Sequence, residues 1–189
     1  MVRTASLLLR TPTRRETQIA TACGSDDEAQ RWLGWEDAHI CPEDSRATLI
    51  ASPAEGKEFP NEPVLPHFWR LIAIDPRNLA VAGEVGITGI PDEPPQLGGW
   101  LAPAYRGRGL GRELFAAGLT LGHEHIGIKL LRAGAEESNT ASRRSLEAAG
   151  FHPIPGSPTH PLPNGRTITS RWYEHAAPTA RCGGVVGST

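Results

Sequence analysis

Hydrophobic and polar positions alternate along the first ten residues, with Leu and Val set between polar side chains, and this predicts a strand. Thr13 predicts a cap on a helix over 14–23 that stops near Gly24. Ser25, Asp26, Asp27 and Glu28 mark a second helix start, because acidic side chains favour the positive end of a helix dipole. That helix runs through Trp32 to Gly34, and a third is expected over 43–51. Residues 52–66 hold Pro53, Gly56, Pro60, Pro63 and Pro66, which exclude regular structure and predict a long loop. From residue 68 the pattern changes. The β-rich runs 68–75 and 79–88 are separated by the turn Pro76-Arg77-Asn78 and read as a hairpin. A Pro-rich turn over 90–95 leads to a strand over 97–102. Next come a helix over 111–126, a strand over 129–135 and a helix over 140–149 closed by Gly150. Phe151 opens a further strand, a Pro/Gly loop covers 155–165, and a last strand covers 166–174. This order implies an α+β chain with a mixed sheet and helices on its faces.

Length makes one domain over 1–175 the expectation, followed by a small, polar and disordered tail over 176–189. The formal net charge of -2 removes any broad electrostatic pull toward nucleic acid or membrane. No apolar run approaches the roughly 20 residues of a membrane span, and the Leu7-Leu8-Leu9 cluster lacks a full signal core and cleavage site. A cytoplasmic protein is expected. Cys23, Cys41 and Cys182 are an odd, widely spaced set, read as free thiols. No CxxC pair suggests zinc, and His123 and His125, two apart on a helix, point to different faces. No metal is expected.

The stretch from Trp100 to Arg112 carries the most chemistry. It runs strand, Gly-rich turn, helix. Gly107, Gly109 and Gly111 let the backbone curl with its N–H groups inward at a positive helix end, a setting for phosphate or pyrophosphate. Arg106, Arg108 and Arg112 add charge for phosphate oxygens. No Gly-Lys-Ser/Thr ending makes it a Walker loop, and the glycine spacing departs from the dinucleotide-binding fingerprint.

The turn resembles the acetyl-CoA pyrophosphate signature of the GNAT superfamily, Q/R-x-x-G-x-G/A. Here it reads Arg106-Gly107-Arg108-Gly109-Leu110-Gly111. One strand later a second family motif follows, N-x-x-S and then G-F, as Asn139-Thr140-Ala141-Ser142 and Gly150-Phe151. Trp32-Leu33-Gly34-Trp35, the strand with Gly98 and Trp100, and Leu146-Glu147 look like the branch of ribosomal-protein N-terminal acetyltransferases, the RimJ/RimL-like proteins. The resemblance spans roughly 5–175 apart from the loop 52–66. It implies the GNAT fold, a central and mostly antiparallel sheet with a splayed parallel strand pair. It implies acetyl-CoA as co-substrate and a primary amine as acceptor, attacking the thioester directly in a ternary complex.

Carried onto this sequence, the strands 97–102 and 129–135 form the splayed pair. Backbone groups near Leu101 and Ala102 bond the pantetheine. The 107–112 amides, including those of Leu110 and Gly111, hold the pyrophosphate, and Asn139 and Ser142 face the cofactor. Many family members place a tyrosine general acid where this chain has Leu146, so Ser142 is the candidate acid by position. Related sequences often carry Glu where this chain has Gln96. Glu84 shares a strand face with Ala82, Gly86 and Thr88 and is the candidate base, with a solvent-facing carboxylate as the alternative. Glu36 and Asp37 are candidates for attracting an ammonium, and Arg143 and Arg144 for reaching the adenosine phosphate; exposed surface charges are the alternative for both pairs. The acceptor is either a protein N-terminal α-amine or a small-molecule amine, used by a monomer or homodimer. The departures at Leu146 and Gln96 leave open a catalytically weak acyl-CoA sensor.

Overall fold

Thr13 and Glu16 build the entry to the first helix. The Thr13 hydroxyl accepts the Glu16 N–H at 3.1 Å, and the Glu16 carboxylate accepts the Thr13 N–H at 2.9 Å. This is a reciprocal capping box. Glu16 also takes both terminal nitrogens of buried Arg10, so a buried ion pair ties the preceding strand to the helix. Thr13→Ala removes the cap and should lower stability by about 1 kcal/mol, read as an earlier denaturant midpoint.

The computed structural model describes residues 1–54, 68–89, 91 and 93–178. Most of the Pro-rich loop 52–66, most of the tail 176–189, and Cys182 lie outside them. Nine strands are described: β1 (Val2–Arg3), β2 (Leu8–Arg10), β3 (Phe68–Ile74), β4 (Val81–Thr88), β5 (Gln96–Leu101), β6 (Leu130–Glu136), β7 (His152–Ile154), β8 (Thr159–Pro161) and β9 (Thr167–Ala176). The helices are α1 (Arg14–Gly24), α2 (Asp27–Leu33), α3 (Glu43–Ile50), α4 (Leu110–Leu119) and α5 (Thr140–Ala148). The sheet order is β1-β2-β3-β4-β5-β6-β9-β7, with β8 on β9. Every pairing is antiparallel except β5 with β6.

Register sorts the strand side chains onto two faces. Val85, Ile87, Leu97, Leu131 and Ala133 are buried on one face. There α4 lies so close that a side chain at Gly118 would strike Leu97 and Val85. At Gly122 it would strike Leu131 and Ile87. The other face carries Arg70, Glu84, Gly86, Gly98, Trp100 and, across the parallel pair, Arg132. Here α1 covers the sheet: Arg70 donates to the Thr17 hydroxyl at 2.8 Å, and Gly24 lies against Trp35 and Trp100.

Three elements differ from the hydrophobic pattern. The first strand is a hairpin of two short strands, because the Thr4 N–H turns back onto the Leu7 carbonyl at 2.9 Å. Glu113 on α4 secures the turn by accepting from Thr4 and from the Ser6 N–H and hydroxyl. The helix expected over 111–126 widens into a π-helical segment at Thr120–Ile126, closed by Gly127 at φ 83°. The loop 155–165 contains β8, which edge pairing with β9 holds.

Candidate active site

The parallel strands β5 and β6 meet at one register position, Gln96 beside Arg132, where the Arg132 N–H donates to the Pro95 carbonyl at 3.0 Å. Beyond it the described residues pair no further, and the strands open into a V toward their C-terminal ends. The Ala102 N–H donates to the Ala82 carbonyl at 2.9 Å. Ladder alternation therefore turns even-numbered β5 residues toward β4 and odd-numbered ones toward the V. Gly99 and Leu101 present their N–H groups into the opening. The sequence placed Ala102 there too. Its amide is instead committed to the sheet, its carbonyl to the Tyr105 N–H, and Gly99 takes its place.

At the wide end of the V, Gly107 and Gly109 adopt left-handed φ values of 69° and 75°. Their N–H groups meet no acceptor among the described residues, while the turn over Arg106 and Gly107 folds the Arg108 N–H back onto the chain. No side chain caps α4, whose dipole adds positive charge at the same point. A Cβ at Gly107 or Gly109 would find nothing within 4 Å, so no protein atom packs on the loop in that direction. Free, convergent donors at an uncapped helix start fit a pyrophosphate. Leu110 is buried and anchors α4, so only its backbone belongs to the cradle. Gly111 serves a different end: any side chain there would strike Ser145 on α5.

Tyr105 braces the loop from below. Its hydroxyl donates to Asp75 at 3.2 Å, and the Arg108 guanidinium sits 5.4 Å from its ring centroid. Hydrogen bonds from Arg77 hold the Asp75 carboxyl down to about 2, against the effect of its burial. The Arg106 side chain is not free for phosphate. Its Nε–H donates to the Leu101 carbonyl at 2.9 Å, and its terminal nitrogens form a forked pair with Asp26 at 2.7 and 2.6 Å. Asp26 is the N-cap of α2, so Arg106 joins the end of β5 to the helices of the opposite face. Arg108 and Arg112 are exposed and remain the cations at the cradle.

Asn139 caps α5 by accepting the Ser142 N–H at 3.0 Å. The Ser142 hydroxyl has no partner among the described residues. Leu146 is 1% exposed in the core, leaving no proton donor at that position. Arg143 is held by the Tyr173 hydroxyl at 3.1 Å and the Glu137 carbonyl at 3.0 Å, which leaves Arg144, exposed, as the free cation of the two.

Glu84 does not face bulk solvent. It lies beside Trp100 in register, and its side chain is 18% exposed. Burial pushes its carboxyl above the ordinary value, and Arg70, 3.9 Å away, opposes this. Trp35 meets Trp100, the register neighbour of Glu84, edge-on at 6.2 Å between centroids. Glu36 and Asp37 are exposed. Glu84 and Ser142 are not in contact: one lies under α1, the other at the head of α5 on the opposite face, with the V between them.

The sequence matches a family model described as an acetyltransferase (GNAT) domain over residues 6–152. The chain belongs to the GNAT acetyltransferase family. Its fold is similar to that of a GNAT acetyltransferase from Bacillus anthracis, at TM-score 0.67 and 17% identity, covering 93% of this chain and 97% of that one. It is similar to spermidine N-acetyltransferase from Vibrio cholerae, solved with CoA and spermine, at TM-score 0.67 and 15% identity, covering 92% and 96%. It is also similar to the ribosomal-protein α-N-acetyltransferase RimL, solved with coenzyme A, at TM-score 0.68 and 16% identity, covering 92% and 96%. No curated protein matches the sequence.

This GNAT acetyltransferase therefore has the expected mixed sheet with one splayed parallel pair. No described helix is long and apolar enough to cross a membrane. Away from the V, the His123 Nδ1–H donates to the Ile128 carbonyl at 2.7 Å, since only a protonated nitrogen bonds a carbonyl. Its Nε2 then accepts from His175 Nδ1 at 3.0 Å. Burial, then the neighbouring His123 and His152, lower the pKa of His175. The unfolded chain binds that proton first, so the stability due to neutral His175 is full above about 6.5 and is lost as pH falls through the lowered value. Unfolding free energy should fall from pH 7 to pH 5, with a shallower slope in His175→Gln.

Proposed function

We propose that this acetyltransferase moves the acetyl group of acetyl-CoA to a primary amine by direct attack within a ternary complex. One observation carries the reading: the free N–H groups of Gly107 and Gly109 sit at an uncapped helix start, at the mouth of a V lined by the N–H groups of Gly99 and Leu101. The cradle receives the pyrophosphate, with exposed Arg108 and Arg112 as counter-charges and the 110–112 amides behind it. The Gly99 and Leu101 N–H groups hold the pantetheine arm and polarise the thioester carbonyl. Asn139 sets the head of α5, which brings Ser142 to the cofactor side.

Glu84 is the candidate base. Its raised pKa brings a carboxylate closer to the value at which it both accepts a proton from an ammonium and stays ionised. The Ser142 hydroxyl, without a protein partner, is the candidate donor to the leaving thiolate. Arg106 acts as a positioning residue that holds the end of β5 through the Leu101 carbonyl. The acceptor is a protein N-terminal α-amine, as the RimL likeness suggests, or a small-molecule amine. Buried free Cys23 and Cys41 fit a reducing, cytoplasmic setting.

Calorimetric titration with acetyl-CoA, followed by a thiol-release screen over peptides and small amines, tests the reading. Micromolar binding with acceptor-dependent CoA release is the expected result. Binding without release on any amine points to an acyl-CoA sensor, the reading favoured by apolar Leu146 and by Gln96. Absence of binding overturns the cofactor assignment.

A further inference from the structure

The two ends of α2 are fastened to opposite sides of the V. At its start, Asp26 takes the forked pair from Arg106, whose Nε–H holds the Leu101 carbonyl at the end of β5. At its other end, the turn between β8 and β9 docks on Gly34. The Asn164 N–H donates to the Gly34 carbonyl at 2.8 Å, and a terminal nitrogen of Arg166 donates to the Arg31 carbonyl at 2.6 Å. Carbonyls at the C-terminal end of a helix lack partners within it and favour a cation. Leu162 is buried, and Gly34, at φ 56°, lies so close that a side chain there would strike it.

The same turn is rooted on the face of the sheet that carries Glu84. β9 pairs with β6 as far as Ser170 beside Glu136, and the Thr169 carbonyl accepts the Glu137 N–H at 3.0 Å. Residues 162–168 therefore run past the end of β6, where the V is wide. The root is fixed. Gly134, two residues on from Arg132 and so on the same face, is in register with Trp172, and a side chain there would press on the indole. The Trp172 Nε1–H donates to the Ser157 carbonyl at 2.9 Å, and the Ser170 hydroxyl donates to the same carbonyl at 2.8 Å. The Ser170 N–H donates to the Pro158 carbonyl at 2.9 Å. Bonded elements thus form a circuit: β5, Arg106, α2, the β8–β9 turn, β9, β6, and back to β5 where Gln96 meets Arg132. The helix spans about 10 Å of it. A groove leading outward between α2 and β9 is dammed by the turn.

We propose that the β8–β9 turn is a fixed strap across the acceptor side of the V that restricts the acceptor to small-molecule amines, with Leu162 and Arg166 as the specificity-determining residues that seat it on α2. This rests on the acetyltransferase reading and narrows it. A protein N-terminus continues as a chain from the carbon that bears its amine, and that chain needs a way out between α2 and β9. The strap occupies that way. A small amine has no such continuation and fits inside the circuit. Release of the strap changes which acceptors are used rather than how acetyl-CoA binds, because none of the strap's partners belongs to the 107–109 cradle.

The experiment is thiol release with contrasted acceptors: small amines (free amino acids, polyamines and arylalkylamines) against short lysine-free peptides with a free N-terminus. At least one small amine should exceed every peptide in kcat/KM by roughly 10- to 200-fold, the range over which the shape of a pocket discriminates. Leu162→Ala combined with Arg166→Ala unseats the strap and should raise kcat/KM for peptides relative to that small amine by about 10-fold or more. Arg166→Ala alone, which leaves Leu162 on Gly34, should fall between. A loss of stability alone lowers both rates together and leaves their ratio unchanged, and an unchanged acetyl-CoA Kd shows that each variant is folded. Peptides that match the small amines in the native enzyme, or a ratio that stays the same in the double variant, overturn the proposal and leave the acetyltransferase reading standing. Turnover with neither small amines nor peptides overturns that reading as well.

Discussion

A Gly109→Val variant loses at least about 100-fold in acetyl-CoA affinity and stays folded. Two effects act together. Gly109 sits at φ 75°, where a β-branched side chain is strained by roughly 1–3 kcal/mol, so the loop shifts toward a conformation that no longer points its N–H groups inward. Hydrogen bonds to a charged group contribute about 1.5–3 kcal/mol each, and misaligning two of them removes two or more orders of magnitude in affinity. The new side chain meets no protein atom, because the Cβ direction is open, so the core around Leu110 and Leu114 is untouched. Calorimetry with acetyl-CoA reads the affinity, and thermal unfolding reads the fold. Unchanged affinity would remove the 107–109 loop from the cofactor site. Gly111→Val separates the two roles of the motif: it drives α4 from Ser145 on α5 and should cost stability first.

The second large effect is at Glu84. With a general base removed, kcat/KM in Glu84→Gln should fall by roughly 10²–10⁴-fold while acetyl-CoA affinity holds. The pH profile tests the role rather than the fold. A base works when deprotonated, so activity is lost as pH falls through its pKa. Burial raises that pKa above the ordinary 4.5, which places the acidic limb of kcat/KM above that value in the native enzyme. The limb should be absent from the residual activity of Glu84→Gln. Equal rates in the two proteins, or a limb that survives the substitution, assign the proton to another group.

Much of this was legible in the chain. Thr13 before a helix, Asp26 before another and Gly34 after it announced helix ends by local rules. The structure shows each cap by its own hydrogen bond or left-handed φ. Residues 106–111 and 139–151 announced the family because a phosphate cradle needs glycines at fixed offsets from a helix start, and such offsets survive in sequence. The π-helical turn at Thr120–Ile126 was not legible. Gly122 within it lies so close to Leu131 and Ile87 that a side chain there would strike both, a tertiary contact that no local pattern announces.

What the sequence determined by itself is therefore local: helix ends, strand runs, the Gly-rich turn, and through these the GNAT family. Tertiary structure decided everything that depends on what lies across the sheet. Arg106 sits in the phosphate motif, yet its guanidinium belongs to Asp26, 80 positions away along the chain. Glu84 could line a cleft or face solvent until α1 and the paired tryptophans buried it. Gly99 rather than Ala102 faces the V because ladder parity depends on which neighbour each amide already bonds. The physical reason is common to all three. Charge, burial and hydrogen-bond satisfaction are properties of neighbours, and in a mixed sheet the neighbours come from distant parts of the chain.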